Sequence, residues 1–334
     1  NLPTSLPLVP MSFPSQDPLR RLRKQVADVL TSLGFFEAIN YSFVTPQHGE
    51  LLGLEADDPL RRSVHLLNPL AEDQSVLRTT LLGGILENVR RNVNYQTHDL
   101  RLFEIGKVFM ARGEGQPEEP FRLAAVLSGR RAPGVPMLHG GEAEVDLLDA
   151  KGAVENLLAA LRFDQELACL PVVEASLPFA EAGQLMAITG KGGAVGWCGA
   201  FAGKVLKAYG IKQQVYFMDI DLGALADYVP AAKVFAALPR FPMVKWDLAV
   251  VVPEAVAVGD MLTAIAEADK ALVEQVEVFD IFRGKNVESG KKSVAISITY
   301  RAADRTLDDA TVAKVHQKII EMMISRFHGK LREA

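Results

Sequence analysis

Two neighbouring stretches near the C-terminal end combine residue types that suit contact with an unpaired nucleotide. Asp280 and Phe282 lie two residues apart in an apolar stretch, and Ser293 precedes a second, alternating stretch. An aromatic ring can stack on a nucleobase, while a carboxylate and a hydroxyl can hydrogen-bond to its polar edge. Because alternate residues of a strand share a face, Asp280 and Phe282 are predicted to project together, and Ser293 on the adjoining strand can share that face.

Four basic residues stand around the loop between these stretches, against a single nearby acid, Glu288: Arg283, Lys285, Lys291 and Lys292. Such cations can contact RNA phosphates, although a basic loop is also typical of an ordinary solvated surface. Residues 239–334 carry 14 Lys and Arg against 14 Asp and Glu. A neutral region is not suited to wrapping duplex DNA by charge, so we expect a compact RNA contact and no DNA partner.

The bulk composition predicts a globular protein of two domains. The chain has 334 residues, of which 49% are hydrophobic, and only two cysteines. No apolar run approaches the roughly 20 residues that span a bilayer, and no secretory leader opens the sequence. We therefore expect a cytoplasmic protein with reduced thiols and no membrane contact.

The first part of the chain predicts an antiparallel sheet flanked by helices, within an α+β fold. An amphipathic helix is expected over residues 17–33, followed by a strand over residues 37–44. Thr79 or Thr80 can cap a second helix, and short apolar strands then alternate with turns. We expect this domain to occupy residues 17–230, after a proline-spaced linker over residues 1–16 that continues from a longer chain.

The last part predicts a different domain. Pro230, Pro239 and Pro242 mark a linker over residues 231–240. Residues 241–334 then follow the order strand, helix, strand, strand, helix, strand, which is the βαββαβ pattern of a ferredoxin-like domain.

Motifs for hydrolysis or metal binding are weak. The six histidines show no spacing typical of metal ligands, and the glycines around Lys191 fit a hairpin turn better than a phosphate loop. We predict no catalytic residue and no metal ligand in this chain.

Several short motifs occur in an order that resembles a known family. They are Gly34-Phe35-Phe36-Glu37, Leu67-Asn68-Pro69-Leu70, Leu77-Arg78-Thr79-Thr80 and Leu102-Phe103-Glu104-Ile105-Gly106. Together with the C-terminal domain they resemble the β-subunit family of bacterial phenylalanyl-tRNA synthetases, which carry a class II synthetase-like domain. The resemblance covers nearly the whole chain.

The resemblance implies an anticodon-binding role for the ferredoxin-like domain. In the family, the positions matching Asp280, Phe282 and Ser293 lie at the anticodon, with the aromatic residue stacked on the first base. A carboxylate favours a guanine edge there. The sequence departs from the family at Phe282, where tyrosine is common, and at Trp246, where a cation is common.

The resemblance also implies that chemistry takes place in a partner. Active class II enzymes use arginines on ATP, but this chain has none between Arg162 and Arg240, and Arg101 precedes Glu104 by one residue too many. We expect a domain that supports a catalytic alpha subunit in an (alpha-beta)2 assembly. ATP and Mg²⁺ are expected on the alpha subunit, with no cofactor on this chain, and tRNA(Phe) is the expected RNA.

Two questions stay open at this point. The apolar stripes of the first two helices could form either the partner interface or the domain core. The chain could also be an active single-chain phenylalanyl-tRNA synthetase or a free-standing RNA-binding regulatory paralogue. ATP/pyrophosphate exchange by this chain alone and copurification of an alpha subunit would separate these functions.

Overall fold

The chain folds into two compact units, Asn1–Ala232 (unit 1) and Lys233–Ala334 (unit 2). The computed structural model describes residues 17–113, 115–135, 142–163, 166–172, 177–228, 235, 237–284 and 287–331. Within these ranges no helix is both long and apolar enough to cross a membrane.

Unit 1 is built around a seven-stranded sheet. Its helices are α1 (Pro18–Ser32), α2 (His48–Leu51), α3 (Leu82–Asn94), α4 (Leu147–Leu161), α5 (Gly203–Ala208) and α6 (Leu222–Ala226). Its strands are β1 (Phe36–Glu37), β2 (Phe43–Val44), β3 (Val76–Leu77), β4 (Leu100–Lys107), β5 (Phe121–Ser128), β6 (Ala168–Pro171), β7 (Ala180–Gly190), β8 (Gly193–Phe201) and β9 (Val215–Asp221). The large sheet has the order β1-β4-β5-β9-β8-β7-β6.

Most strand pairs of this sheet are antiparallel, as predicted, but β1 runs parallel to β4. The prediction of one strand over residues 37–44 is wrong. The chain leaves β4 after Ala38, because Asn40 donates its side-chain Nδ2 to Glu104 Oε2 at 2.7 Å instead of continuing a ladder. Residues Phe43–Val44 then pair with β3 in a separate two-stranded sheet.

Helices cover both faces of the large sheet. Helices α1, α4 and α6 pack on the face that carries Leu123, Ala125 and Leu127 of β5. Helices α3 and α5 pack on the opposite face, which carries Ala124 and Val126. Alternate residues of one strand therefore enter two separate apolar cores, and each core stabilises the sheet by burying apolar surface.

The stripes of the first two long helices belong to these cores. Leu22, Val26 and Leu30 of α1 are buried against one face of the sheet. Leu82, Leu86 and Val89 of α3 are buried against the other. These side chains therefore support the domain-core interpretation of the stripes, and a partner interface on these helices stays a prediction.

Unit 2 has the predicted βαββαβ order. Its elements are β10 (Val244–Pro253), α7 (Val258–Ala268), β11 (Val273–Phe282), β12 (Lys291–Tyr300), α8 (Asp309–Phe327) and β13 (Lys330–Leu331). The antiparallel sheet has the order β11-β12-β10-β13. The predicted α+β class, with a ferredoxin-like second domain, is confirmed.

The sheet of unit 2 has one covered face. Helices α7 and α8 pack on the residues of β10 and β12 that point to the core, such as Val250 and Ile296. The opposite face of β12 carries Ser293, Ala295, Ser297 and Thr299, and none of the described helices covers it. We call this the open face.

Strand β11 contains two irregularities where it pairs with β12. The register shifts between Val273 and Gln275, and again between Val278 and Asp280. Each shift is a β-bulge, in which the strand accommodates one extra residue opposite its partner. Phe279 is the extra residue of the second bulge.

Trp246 lies on the covered face. Its strand partner is the core residue Ile298, and its ring meets that of His316 on α8 at a centroid distance of 5.1 Å. Nδ1 of His316 is 2.9 Å from the Tyr300 hydroxyl. Trp246 therefore packs against the core and has no electrostatic role on the open face.

Candidate nucleic-acid interface

The strand register brings Asp280, Phe282 and Ser293 together on the open face. Phe282 pairs directly with Ser293, and Asp280 pairs with Ala295, the next residue of β12 on that face. Side chains of directly opposed residues lie on the same side of an antiparallel pair and within contact range. The three positions form one small surface near the end of the β11–β12 hairpin.

These three side chains differ in accessibility. Phe282 is 37% exposed and Asp280 is exposed, but Ser293 is only 2% exposed. A base can therefore meet the ring and the carboxylate directly, while contact with the serine hydroxyl requires neighbouring side chains to move.

The Phe282 ring lies close to Gly284. A Cβ atom placed on Gly284 would be 2.7 Å from Cζ of the ring and 3.1 Å from Cε1. Such a distance is too short for two carbon atoms, so the ring needs glycine at this position to keep its orientation. The loop backbone thus helps to hold the exposed aromatic surface.

Other charged residues of the open face were missed by the sequence reasoning. Lys330 of β13 pairs with Val251, which itself pairs with Ser293. Lys245 lies 3.8 Å from the carboxylate of Glu277 across the face. Alternation along β10 could have indicated Lys245, whereas the position of Lys330 depends on the sheet order.

Three of the four predicted phosphate-binding residues are engaged within the protein. Arg283 Nη2 lies 2.8 Å from Oε1 of Glu254, and Lys291 Nζ lies 2.6 Å from Oε2 of Glu288. Lys292 is 6% exposed and donates to the main-chain oxygen of Glu254 at 2.8 Å. The interpretation that Glu288 alone opposes these cations is therefore wrong.

Lys285 lies outside the described residues. Glu254 was missed because it is distant in sequence, at the end of β10, and only folding brings it to the loop. The hydrogen bond from Arg283 holds the pKa of the Glu254 carboxyl below its usual range, and the same contact raises the pKa of Arg283. Both groups are therefore charged at neutral pH.

Unit 1 contains a buried ion pair between Arg78 and Glu104. Arg78 is 7% exposed and Glu104 is 3% exposed, and Arg78 Nη1 donates to Glu104 Oε1 at 2.5 Å. Arg78 Nε also donates to the main-chain oxygen of Lys107 at 2.9 Å. The contact joins two of the motifs found in sequence, and a paired, hydrogen-bonded arrangement is what a buried charge requires.

Arg101 lies on the other face of β4 from Glu104. Residues three apart on a strand point in opposite directions, and Arg101 donates to the main-chain oxygen of Arg131 at 2.7 Å. The two residues therefore cannot act on one substrate. Over the face that carries Glu104, the rings of Phe201 and Phe217 pack at a centroid distance of 4.8 Å.

A second cluster of charged groups on this face is also paired. Arg122 Nε donates to Asp219 Oδ1 at 2.9 Å, and its Nη1 lies 3.5 Å from Asp221 Oδ2. Burial opposes the charge on Arg122, but the two carboxylates outweigh it and raise the pKa of the guanidinium. In the part of the chain that the structure describes, no cluster of three His, Cys, Asp or Glu could hold a metal ion.

Two family profiles match the two units of the chain. The family described as "Phenylalanyl tRNA synthetase beta chain CLM domain" matches residues 2–222. The family described as "Ferredoxin-fold anticodon binding domain" matches residues 239–332.

Curated relatives match along the full chain. The phenylalanine–tRNA ligase beta subunit of Desulfotalea psychrophila is 42% identical over 342 residues, which cover 100% of this chain and 42% of that protein. Those of Syntrophotalea carbinolica and Syntrophus aciditrophicus are 38% and 33% identical, and each match covers 99% of this chain and 41% of the relative. The chain thus spans about two fifths of the length of these relatives.

Proposed function

This chain belongs to the phenylalanine–tRNA ligase beta-subunit family, and from that premise we propose that unit 2 binds the anticodon of tRNA(Phe) while unit 1 supports a catalytic alpha subunit. Residues 241–334 would then be the anticodon-binding domain, and residues 17–230 a synthetase-like domain without catalysis. The unit boundary between Ala232 and Lys233 supports this division.

The observation that carries the proposal is the common open face of Asp280, Phe282 and Ser293. Phe282 stacks on the first anticodon base, and the Asp280 carboxylate accepts hydrogen bonds from a guanine edge. A carboxylate would repel a base edge that offers only acceptors. Ser293 joins the contact after the side chains around it rearrange.

The basic residues of the loop bind the RNA backbone. Arg283, Lys285, Lys291 and Lys292 are proposed as phosphate contacts, at positions next to the base-reading residues. Because Arg283 and Lys291 are paired with carboxylates in the free protein, phosphate binding there exchanges one anion for another. Exchanging one anion for another costs less free energy than removing water from unpaired ions.

Catalysis is assigned to the alpha subunit, where ATP and Mg²⁺ would bind, in a cytoplasmic (alpha-beta)2 assembly. The opposite orientations of Arg101 and Glu104 support this assignment, as does the apolar packing over the sheet face that carries Glu104. The chain alone is therefore expected to give no phenylalanine-dependent ATP/pyrophosphate exchange.

Binding of an anticodon stem-loop by the 334-residue chain tests the RNA assignment. Stacking contributes about 1–3 kcal/mol per base, so Phe282→Ala should weaken binding about 5- to 150-fold. Phe36→Ala, which removes an exposed ring from unit 1, is the matched control and should leave the affinity unchanged. A stem-loop with adenine in place of the first guanine should bind more weakly.

Equal affinity for all first bases would count against the proposal. Unchanged binding by the Phe282 variant would also exclude stacking on this ring. Because Phe282 is partly exposed, its loss should leave unit 2 folded, which circular dichroism can check.

Exposed apolar residues of unit 1 are the proposed contacts with the alpha subunit. Leu67 is 97% exposed, Leu70 is fully exposed, and Ile39 and Tyr41 project from the segment after β1. Surfaces of this kind are typical of permanent interfaces. Leu67→Asp should abolish copurification of the alpha subunit, whereas Leu148→Asp, at an exposed leucine of α4, should not.

A further inference from the structure

Glu254 contacts the β11–β12 connection at three points. Its N–H donates to the main-chain oxygen of Gly290 at 2.8 Å. Its main-chain oxygen accepts from Lys292 Nζ at 2.8 Å. Its carboxylate accepts from Arg283, with Nη2 at 2.8 Å and Nε at 3.1 Å from Oε1. Glu254, at the end of β10, therefore organises the loop that carries the cations.

The carboxylate lies between two cations. Lys292 Nζ is 3.9 Å from Oε1, on the atom that Arg283 also contacts. About half of each exposed partner is open to water, with 57% of the Arg283 side chain and 47% of the Glu254 side chain exposed. An anion from solution can therefore reach this position and replace the carboxylate.

The position is adjacent to the base-reading residues. The register that pairs Phe282 with Ser293 brings their neighbours Arg283 and Lys292 to the next step of the hairpin. In a nucleotide, one sugar joins the phosphate to the base. Alternation turns Lys292 to the face opposite Phe282, so an RNA strand whose base stacks on Phe282 passes around the end of the hairpin to bring its next phosphate to these cations.

We propose that the Glu254 carboxylate occupies a phosphate site, and that a phosphodiester of single-stranded RNA displaces it to bind Arg283 and Lys292. The inference rests on the proposed RNA-binding function and adds its phosphate subsite. Arginine binds carboxylate and phosphate with the same forked geometry, so the bound carboxylate is a direct stand-in. The main-chain contacts of Glu254 need not change during the exchange.

The exchange has a consequence for selectivity. An RNA phosphate that meets Arg283 must compete with a carboxylate already in place, so backbone contact alone yields little affinity here. Stacking on Phe282 supplies the additional binding energy. Glu254 would therefore suppress binding of RNA that offers no base to the open face.

The test measures binding of the 334-residue chain to an anticodon stem-loop over a range of salt concentrations. In the wild-type protein the Glu254 carboxylate cancels one positive charge of the site. In Glu254→Gln that charge is available to a phosphate, so RNA binding should release about one more of the cations condensed on the RNA, and the log-log salt slope should become steeper by about 0.7. Affinity at low salt should rise about 1.5- to 5-fold, which is the size expected for one exposed competing charge.

Two controls make the effect specific to this site. Glu274→Gln removes the same charge from the Glu274–Arg301 pair at the other end of β11, where the two side chains meet at 2.9 Å. It should change neither slope nor affinity. In an Arg283→Ala background, Glu254→Gln should have lost its effect on the slope. Glu254→Ala should behave like the glutamine variant, because both lack the charge.

The outcomes separate this inference from the function on which it rests. Unchanged or weaker binding by both Glu254 variants, with Phe282→Ala still impaired, would overturn the phosphate site alone. An equal gain from Glu274→Gln would also overturn it, because the effect would then be general charge. Failure of the wild-type chain to bind the stem-loop would overturn both proposals.

Discussion

The two large sheets of this molecule differ in how many of their faces are covered by helices. Helices pack on both faces of the seven-stranded sheet in unit 1, so successive residues of β5 enter opposite cores. Helices pack on one face of the four-stranded sheet in unit 2, and no described helix covers the other face, where Asp280 and Phe282 are exposed although Ser293, Ser297 and Thr299 are buried. A sheet at the centre of a domain is stabilised by helices on both faces. A sheet that binds a ligand on one face can have helices only on the other.

The charged residues follow the same division. The Arg78–Glu104 pair of unit 1 is buried and tied to neighbouring backbone. The Arg283–Glu254 pair of unit 2 is exposed. The first kind of pair is costly to break and fixes a structure. The second kind contributes little to stability and can exchange partners.

The largest expected effect comes from placing one lysine on each sheet. Ala124 of β5 is fully buried, whereas Ala295 of β12 faces the open side between Asp280 and Ala249. Ala124→Lys should cost more than about 4 kcal/mol or prevent folding, because the ammonium group enters an apolar core. Ala295→Lys should change stability by less than about 1 kcal/mol.

The two tryptophans allow each unit to be followed separately. Trp197 belongs to unit 1 and Trp246 to unit 2, so urea unfolding can be read by fluorescence after one of them is replaced by Phe. Equal costs for the two lysine variants would contradict the difference in coverage. A folded Ala124→Lys with an unchanged unfolding midpoint would contradict it as well.

The next effect concerns the two ion pairs. Glu104→Ala should lower the free energy of unfolding of unit 1 by about 3–5 kcal/mol, because Arg78 is left charged and buried without its partner. Glu254→Ala should leave the midpoint of unit 2 unchanged. Urea unfolding with the Trp197 and Trp246 reporters measures both. A small cost for Glu104→Ala would mean that water reaches Arg78.

A smaller effect is expected from the glycine beside the aromatic ring. Gly284→Ala places a methyl group 2.7 Å from the present position of Phe282 Cζ, so the ring must turn. Stem-loop affinity should fall about 3- to 10-fold, part of the energy of one stacked base. The control Gly259→Ala, at a helix position with open space around it, should leave affinity unchanged. Equal affinities would show that the ring orientation is not used.

The smallest effect is a pH dependence of unit 2. Burial lowers the pKa of His316 from its ordinary value of 6.5, so the folded state favours the neutral ring. The unfolded state then binds more protons as pH falls through 6.5, and stability decreases from there toward the folded-state pKa. Carboxyl groups with lowered pKa, such as Glu254 and Asp308, lose their contribution only at more acidic pH.

Urea midpoints reported by Trp246 between pH 8 and pH 5 measure this dependence. His316→Gln should remove it, since glutamine does not titrate in this range. Stability that rises on acidification, or a decrease that persists in the variant, would exclude His316 as the cause. His48 of α2, whose pKa burial also lowers, provides the corresponding group in unit 1.

Sequence patterns predicted the elements whose signals are local. The capped, amphipathic helix after Asp17 and the alternating strand before Tyr300 were recognisable, because periodicity and caps depend on nearby residues. Alternation also indicated the common side of Asp280 and Phe282. The family resemblance, carried by ordered motifs, supplied the proposed function.

Contacts between distant segments could not be predicted in this way. Glu254 lies 29 residues before Arg283, and their meeting depends on the register of β10 with β12. Likewise, the helical stripes indicated that α1 and α3 bury a face, but not which surface receives it. An apolar stripe shows that one face of a helix is buried, but it does not identify the surface that covers this face.

The bulges of β11 have a consequence for the gene. A strand that holds an extra residue at Phe279 accommodates one residue more than its partner, and the pairs on either side of it are intact. Loss of the Phe279 codon should leave Asp280 and Phe282 facing the same side. A codon inserted between Ile281 and Phe282 would turn the ring toward the helices. Homologous hairpins can therefore vary in length at Phe279 during evolution while the residues that follow keep their orientation.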